Sequence, residues 1–458
     1  MAGVGLRKPA DVRSPVHRRC AVHCALSFSQ GATKAPRPMA HANDASSSVP
    51  AAGEFRRAAA RGVPGFFRTA PDGAGRWWLL DPQDRAFFCK AVNDVRTTSA
   101  EGGGEPAPGP DPVTRLRQWG FNAVGCGGDG AGRAAGLALI AAVNFCDAGP
   151  LIHAPGARLP DVFAPDWPQR AAEYAFARCA LWATNPDLIG WVTDDDLAWA
   201  QPRVDAPTRP TLLQICLSLE PGHATYHAAW EFTLALHGGK LAALARAWGV
   251  PLVNREVVRE LTRTEQGLVS RGYARDCARW TREFARRYFA STAAAIRAAD
   301  ANHLVLGARS DGPAGESVRA ESVYPAVDVA LVDWSELPAA GELAPGPVLA
   351  GDVGWAQENF HAAPATVGRA SRLTAVERML RRGRGALERA ARHPAVVGYV
   401  WRQWLDEPGG QPPFARGLVH RNGAEAREHT ELLAEFNRRA EALRCAVRPG
   451  LAVATISP

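Results

Sequence analysis

The sequence lacks the features of a membrane protein and of a disulfide-stabilised or zinc-binding protein. No apolar run reaches the roughly 18 residues that a membrane-spanning helix needs. The nine cysteines are scattered, with no Cys-x-x-Cys pair and no histidine cluster at zinc spacing. We therefore expect no membrane contact, cysteines that pack as small apolar side chains, and no metal or other cofactor.

A clear secretion signal is also missing. Residues 20–29 (CAVHCALSFS) are the one candidate for its apolar core. That stretch is short, contains a histidine, and is not followed by an obvious small-residue cleavage site. The compartment stays open, with a slight preference for the cytoplasm, and so does the oligomeric state.

Almost all of the excess positive charge lies near the N terminus. The 458 residues carry a formal charge of +7, and residues 1–60 hold nine Lys and Arg against three Asp and Glu. This segment has almost no aromatic residues and no apolar periodicity, which predicts a disordered basic tail. Because the rest of the chain is close to neutral, we expect no nucleic-acid partner.

Eight short apolar runs recur between residues 61 and 445. Strands buried on both faces of a parallel sheet have continuous runs of this kind. The runs lie at residues 90–95, 121–125, 139–143, 188–192, 303–307, 327–332, 348–351 and 396–400. Because segments with helical spacing separate them, the pattern predicts an α/β fold, a (β/α)8 TIM barrel over residues 61–445, followed by a C-terminal tail at 446–458.

Three further segments are expected to decorate this barrel. Residues 76–88 resemble a hairpin that covers one end. Residues 97–112 are rich in Gly and Pro and predict an exposed loop after the first strand. Residues 200–283, after the fourth strand, predict a long helical insertion that forms a lid or a wall of a substrate cleft. The glycine-rich residues 125–130 lack the Lys-Ser/Thr of a phosphate-binding loop and predict a flexible connection.

Three consecutive aspartates follow the fourth run, in the stretch WVTDDDLAW, and Asp352 follows the seventh. The C-terminal ends of barrel strands face the active-site mouth, and strands four and seven lie across it from each other. Side chains alternate along a strand, so at most two of Asp194, Asp195 and Asp196 can point into the mouth. Two carboxylates across a cleft are what glycoside hydrolysis requires. Each could instead be a turn former or a helix cap.

Over residues 63–440 the sequence resembles the agarase-like (β-agarase) glycoside hydrolases, which belong to a clan of retaining barrels with carboxylates on strands four and seven. The resemblance is carried by segments that occur in the family's order. These are RWWLLDPQDRAFF, KAVNDV, GFNAVG, DVFAPDW, NPDLIGWVTDDDLAW, IRAADANHLVLGAR, VLAGDVGWA and HPAVVGYVWRQWLDEPGG.

The resemblance implies a role for each matching position. Asp196 falls on the acid/base glutamate, Asp195 on the asparagine before it, and Asp352 on the nucleophile. Trp401 falls on the aromatic residue under the reacting sugar. The substrate-binding side chains that we expect are Asn93, Asp195, Arg309, Trp355, Trp401 and Trp404.

The sequence departs from the family at its key positions. Both glutamates are aspartates, each one methylene shorter, which would move the two carboxyl groups about 2 Å apart on an unchanged backbone. That change shifts the site from the spacing of a retaining enzyme towards that of an inverting one. A carboxylate at Asp195 also places a like charge beside the acid, which would raise the pKa of one of the pair.

Three functions therefore compete. The first is a glycoside hydrolase that cleaves β-linked, possibly galactan or agar-type, saccharides with Asp196 as proton donor and Asp352 as nucleophile or base. The second is a catalytically impaired barrel that still binds carbohydrate. The third is a hydrolase in which the aspartates hold a hard cation.

Overall fold

The computed structural model describes residues 49–51, 53–96, 111–128, 136–201, 210–264, 270–339, 344–355, 369–407 and 416–446. Most of the predicted basic tail, nearly all of the predicted loop at 97–112 and residues 447–458 lie outside these ranges. Within the described part of residues 1–60, Phe55 is buried and its backbone forms a bridge with Asp72.

Fifteen strands are assigned in the described residues. They are β1 (Arg68–Pro71), β2 (Trp77–Leu80), β3 (Ala86–Phe87), β4 (Cys89–Val92), β5 (Ala123–Val124), β6 (Ala138–Ala142), β7 (Leu151–Ala154), β8 (Ala157–Pro160), β9 (Leu188–Trp199), β10 (Leu304–Ser310), β11 (Ala330–Asp333), β12 (Val348–Val353), β13 (Val396–Trp401), β14 (Gln403–Leu405) and β15 (Gly417–Val419).

Ten α-helices accompany these strands in the same residues. They are α1 (Pro112–Gln118), α2 (Trp167–Cys179), α3 (Leu212–Ser218), α4 (Ala224–Leu236), α5 (Leu241–Trp248), α6 (Arg255–Thr264), α7 (Arg271–Ala299), α8 (Glu316–Arg319), α9 (Arg369–Arg392) and α10 (Arg427–Cys445).

A large sheet of parallel strands forms the centre of the molecule. Pairing runs in the order β11, β12, β13, β4, β5, β6, β9, β10, and every neighbouring pair in this path is parallel. Each of the eight predicted apolar runs contains or overlaps one of these strands. No strand ladder joins β10 to β11 in the described residues. The expected α/β class, with a large central sheet, is confirmed.

The fourth central strand differs from the prediction in its length. The sequence predicted a strand that ends near Val192 with the three aspartates beyond it, whereas β9 continues to Trp199. The extension exists because β8 pairs antiparallel with its far end, where Ala157 lies opposite Trp199. The aspartates therefore lie within an extended strand, and the register of β10 places Arg309 beside Asp195.

Helix α7 shows how the sequence builds the outer layer. The Ser270 side chain accepts a hydrogen bond from the Tyr273 N–H, which caps the first turn. Trp280, Phe284 and Tyr288 then recur every four residues on one face and are fully buried. Burial of such a side chain stabilises the fold by about 2 kcal/mol or more.

The predicted insertion after the fourth central strand contains four short helices, α3 to α6, and the first turns of α7. Thr211 and Gln214 form a capping box at the start of α3, which fixes where that helix begins. The predicted hairpin is also present, since β2 pairs antiparallel with β3. None of the described helices is long and apolar enough to cross a membrane.

Candidate functional site

One guanidinium group links the two strands that carry the predicted catalytic aspartates. Arg309, near the end of β10, donates from Nε to the Asp352 carboxylate on β12 at 2.6 Å and from Nη1 to the Asp195 carboxylate on β9 at 2.7 Å. All three side chains are largely buried. Burial lowers the pKa of Arg309, but the two carboxylates outweigh it and hold that pKa well above its usual value. Arg309 is therefore a permanent cation between two carboxylates.

A second cation lies on the other side of Asp352. Arg402, just after β13, has its Nη1 atom 3.8 Å from the second Asp352 carboxylate oxygen, and its Nε atom 3.4 Å from Glu407. A small cleft of about 20 Å³ adjoins Arg309 and Asp352 and is lined also by Ser310 and Asp333. Two cations therefore adjoin the Asp352 carboxylate.

A larger apolar cavity lies elsewhere. It has a volume of about 510 Å³ and lies between α9 and strands β12 and β13, where its lining includes Leu387, Val396 and Tyr399. None of the site carboxylates lines it. We take the smaller cleft as the site, because it contains the charged groups that chemistry needs.

Several residues at or near the ends of the central strands have an unusual backbone conformation. Asp94, Asn144, Asp196 and Asp352 all have positive φ angles, of 56°, 66°, 108° and 52°. Non-glycine residues rarely adopt this region, and such strain concentrates at functional sites. At Asn144 the purpose is visible, because its side-chain oxygen accepts a hydrogen bond from the Asp195 N–H at 3.0 Å.

Asp194 points away from the cleft into the protein. Its carboxylate is fully buried and accepts hydrogen bonds from the Cys146 N–H at 2.8 Å and the Tyr288 hydroxyl at 2.5 Å. Burial raises its pKa to about 7, and these hydrogen bonds oppose the rise without cancelling it. Of the three consecutive aspartates, Asp194 therefore anchors β9 to the protein interior and does not face the cleft.

The predicted substrate-binding residues separate into two groups. Arg309 lines the cleft and contacts Asp195, whereas Asn93 is buried and its side-chain oxygen accepts a hydrogen bond from the Cys126 N–H at 3.0 Å. Gly125 makes that position possible, because a Cβ atom there would lie 2.0 Å from the Asn93 side-chain oxygen.

The three predicted sugar-stacking tryptophans are buried. Trp401 donates from its indole N–H to the Arg416 carbonyl at 2.9 Å, and its ring packs edge-on against Trp355 with centroids 4.6 Å apart. Trp404 packs against Trp119 at 5.8 Å. Their rings contact protein side chains in this structure, and their stacking on a sugar stays a prediction.

The sequence analysis missed three residues that shape the site. Asn144 orients the Asp195 backbone, Tyr288 holds Asp194, and Asp94 lies among the charged groups at the end of β4. Asp94 had a weak signal, since it lies near the C-terminal end of the predicted first strand, residues 90–95. The described residues contain no group of three or more His, Cys, Asp and Glu side chains arranged to hold a metal ion.

Comparison with known proteins gives matches among solved structures. No protein-family model matches the sequence, and no curated protein matches it. An exo-β-agarase superposes with a TM-score of 0.59 at 18% identity, over 83% of this chain and 66% of its own. Another agarase, AgWH50C, gives 0.60 at 17%, over 84% and 66%. The protein BpGH50 gives 0.57 at 15%, over 87% and 86%.

The chain thus spans slightly less than two thirds of the length of the two agarases. At these identities the shared property is the fold of the polypeptide. In its fold, the chain is similar to agarase-like glycoside hydrolases.

Proposed function

We propose that the protein is a glycoside hydrolase that cleaves β-linked sugars of galactan or agar type, with Asp196 as the proton donor and Asp352 as the nucleophile or base. The observation that carries the proposal is the bridge from Arg309 to Asp195 and Asp352. It brings one carboxylate of β9 and one of β12 to the same guanidinium group, and the two catalytic carboxylates of a glycoside hydrolase must likewise come from parts of the chain that lie close together. The fold shared with agarases supports the same conclusion.

We also propose that the central sheet closes into the expected (β/α)8 barrel. The first central strand in the chain, β4, pairs with the last, β13, as the first and eighth strands of a closed barrel do. At the remaining gap, the Asp328 and Val329 N–H groups donate to the Val305 carbonyl at 2.8 and 3.3 Å. These bonds connect the segment before β11 to β10, and closure would place Asp196 and Asp352 at one mouth.

The charges at the cleft fit the proposed roles. The Asp352 carboxylate, proposed as nucleophile or base, lies 2.6 Å from the Arg309 guanidinium and 3.8 Å from that of Arg402, so two cations adjoin it. Asp196, proposed as the proton donor, follows Asp195 directly on the extended strand β9. Because both groups are aspartates, their separation should approach the 6.5 to 9.5 Å or so of inverting enzymes. We therefore expect inversion at the anomeric carbon.

The test is hydrolysis of agar, galactan and β-glucan oligosaccharides by the purified protein. We expect reducing sugar to be released by the wild type, and the rate to fall at least about a thousandfold in both Asp196→Asn and Asp352→Asn. Asp311→Asn, a change outside the bridge, serves as the control. Full activity in either site variant would remove that residue from its proposed role.

A specific observation favours a second candidate, carbohydrate binding without turnover. The Arg309 guanidinium lies between two site carboxylates, in the region where a reacting sugar would need to contact Asp352. A protein of this kind would bind the same oligosaccharides in calorimetry and release no reducing sugar. Turnover that depends on Asp352 would eliminate this candidate.

A further inference from the structure

Asp94 is the site carboxylate that the proposed mechanism does not use. It is the second residue after β4, with φ at 56°, and its backbone N–H donates to the Cys126 carbonyl at 2.8 Å. Its carboxylate makes no hydrogen bond or ion pair within the described part of the chain. Other buried aspartates have hydrogen-bond partners within the protein. Asp194 accepts from two donors, and Asp300 accepts from the Trp191 indole N–H and lies 2.7 Å from the His303 Nδ1 atom.

A half-buried carboxylate without a hydrogen-bond partner lowers the stability of the fold. Its presence therefore calls for an explanation other than stability, such as a role in binding. Two glycines pack closely against Asp94 and the residue after it. A Cβ atom on Gly127 would lie 2.2 Å from an Asp94 carboxylate oxygen, and one on Gly128 would lie 2.2 Å from the Val95 carbonyl oxygen. The glycine-rich stretch after β5 thus packs directly against this strand end. It fixes Asp94 and leaves its carboxylate unpaired.

The charged groups around Asp94 belong to the proposed site. Burial raises the pKa of Asp94 most, and the Asp195 carboxylate raises it further. Arg309 and Arg96 lower it, and Asp352 adds a smaller upward contribution, so the net direction is upward. The Cys126 thiol, which faces the same groups, has a pKa raised well above its usual value and stays neutral. Asp94 therefore keeps its proton into a pH range where ordinary aspartates are ionised.

We propose that Asp94 is a further substrate-contacting residue of this site, whose unpartnered carboxyl group forms a hydrogen bond with the bound sugar. This inference rests on the proposed function. An ionised carboxylate can only accept hydrogen bonds, whereas a protonated one also donates, and sugar hydroxyl and ring oxygens are acceptors. Affinity for the sugar then falls as the pH rises and Asp94 loses its proton.

Two substitutions separate this role from a structural one. Asp94→Asn keeps the shape, tolerates a positive φ, and offers an N–H donor at every pH. Asp94→Gly removes the side chain and also tolerates the backbone conformation. Asp84→Asn is the matched control, since Asp84 has φ at 62° and pairs with Arg68 in the turn between β2 and β3.

The experiment is calorimetric binding of agar and galactan oligosaccharides at pH 5 and pH 8, in an Asp196→Asn background so that the ligand is not consumed. We expect affinity to be lower at pH 8 than at pH 5 when Asp94 is present, to stay constant in Asp94→Asn, and to be roughly tenfold lower than in the parent at pH 5 in Asp94→Gly. Asp84→Asn should behave like its parent. Unchanged affinity in Asp94→Gly, or the same pH dependence in Asp94→Asn as in its parent, would overturn the proposal.

The outcome separates this inference from the proposed function. Binding with the expected pattern, but no hydrolysis by the wild type, keeps the role of Asp94 and removes the enzyme. Hydrolysis by the wild type with no effect of Asp94→Gly keeps the enzyme and removes the role of Asp94. Neither binding nor hydrolysis would overturn both.

Discussion

Arg309 holds two carboxylates that would otherwise repel each other. Asp195 and Asp352 come from strands that do not pair with one another, and each accepts a hydrogen bond from this guanidinium. Since all three groups are largely buried, the free energy of this bridge depends on its being complete. Removing the cation leaves two desolvated negative charges facing the same space.

We expect Arg309→Met to lower the free energy of unfolding by about 3 kcal/mol, because it leaves these carboxylates uncompensated. Urea denaturation measures the change. Adding Asp195→Asn to Arg309→Met should recover part of the loss, because one of the two repelling charges is then absent. Equal stability of Arg309→Met and the wild type would show that the bridge contributes nothing to the fold.

Asp194 should make stability depend on pH. Its pKa is raised to about 7 by burial, whereas an unfolded aspartate has a pKa of about 3.9. Between these values the folded protein binds a proton that the unfolded chain does not. This contribution is fully present below about pH 4 and is lost as the pH rises through 7, by up to about 1.4 kcal/mol per pH unit.

In Asp194→Asn the titrating group is gone. We therefore expect the unfolding free energy of the wild type, minus that of the variant, to decrease steadily from pH 4 to pH 7. Urea denaturation at four pH values across this window measures the difference. A difference that stays constant would mean that the Asp194 pKa is the same in the folded and unfolded chains.

At the scale of elements, the apolar runs located the central strands because only residues buried on both sides of a parallel sheet form such runs. Strand lengths were harder to predict, since they depend on partners that are distant in sequence. β9 extends seven residues past its apolar run because β8 and β10 pair with it. The sequence therefore predicted Asp195 and Asp196 beyond the end of a strand, whereas they lie inside β9.

The connection after β5 was predicted as a flexible loop. Its described glycines instead pack tightly against a neighbouring strand end. Gly125, Gly127 and Gly128 each lie so close to the end of β4 that a side chain would collide with it. Sequence patterns cannot reveal this, because a glycine needed for close approach and one in a loose loop look the same. The same limit applies to Trp401, whose burial depends on Trp355 and Arg416.

Gly127→Ala tests this packing. It should lower stability by about 1 kcal/mol for the positive φ and by more for the collision with Asp94. Gly249→Ala is the control, because Gly249 has a similar φ of 72° and no atom within 4 Å of the added carbon. Thermal melts of both variants should show the larger loss in Gly127→Ala. Equal losses would mean that contact with β4 costs nothing.

At the scale of the whole molecule, Arg444 ties the last helix to the first hairpin. It is fully buried, and its guanidinium donates to the carbonyl groups of Ala391, His393, Pro394 and Trp77, while lying 4.8 Å from the Trp78 ring. Burial lowers its pKa to about 9. One side chain thus joins α10, the end of α9 and β2, which are distant in sequence.

We expect Arg444→Met to lower the free energy of unfolding by about 3 kcal/mol, since it leaves several buried carbonyl groups without a hydrogen-bond donor. Arg439→Met on the same helix removes an exposed ion pair with Glu435 and should cost less than about 1 kcal/mol. Guanidinium denaturation of the two variants gives the comparison. A loss in Arg444→Met no larger than that in Arg439→Met would contradict this account.

The central claim is that aspartates at the ends of β9 and β12 carry out glycoside hydrolysis. The most direct test is proton NMR of the first product formed from an agar or galactan oligosaccharide, recorded before the anomers equilibrate, with Asp352→Asn beside the wild type. The account predicts that the wild type releases the inverted anomer and that Asp352→Asn releases no sugar. No product from the folded wild type, or equal product from Asp352→Asn, would contradict it.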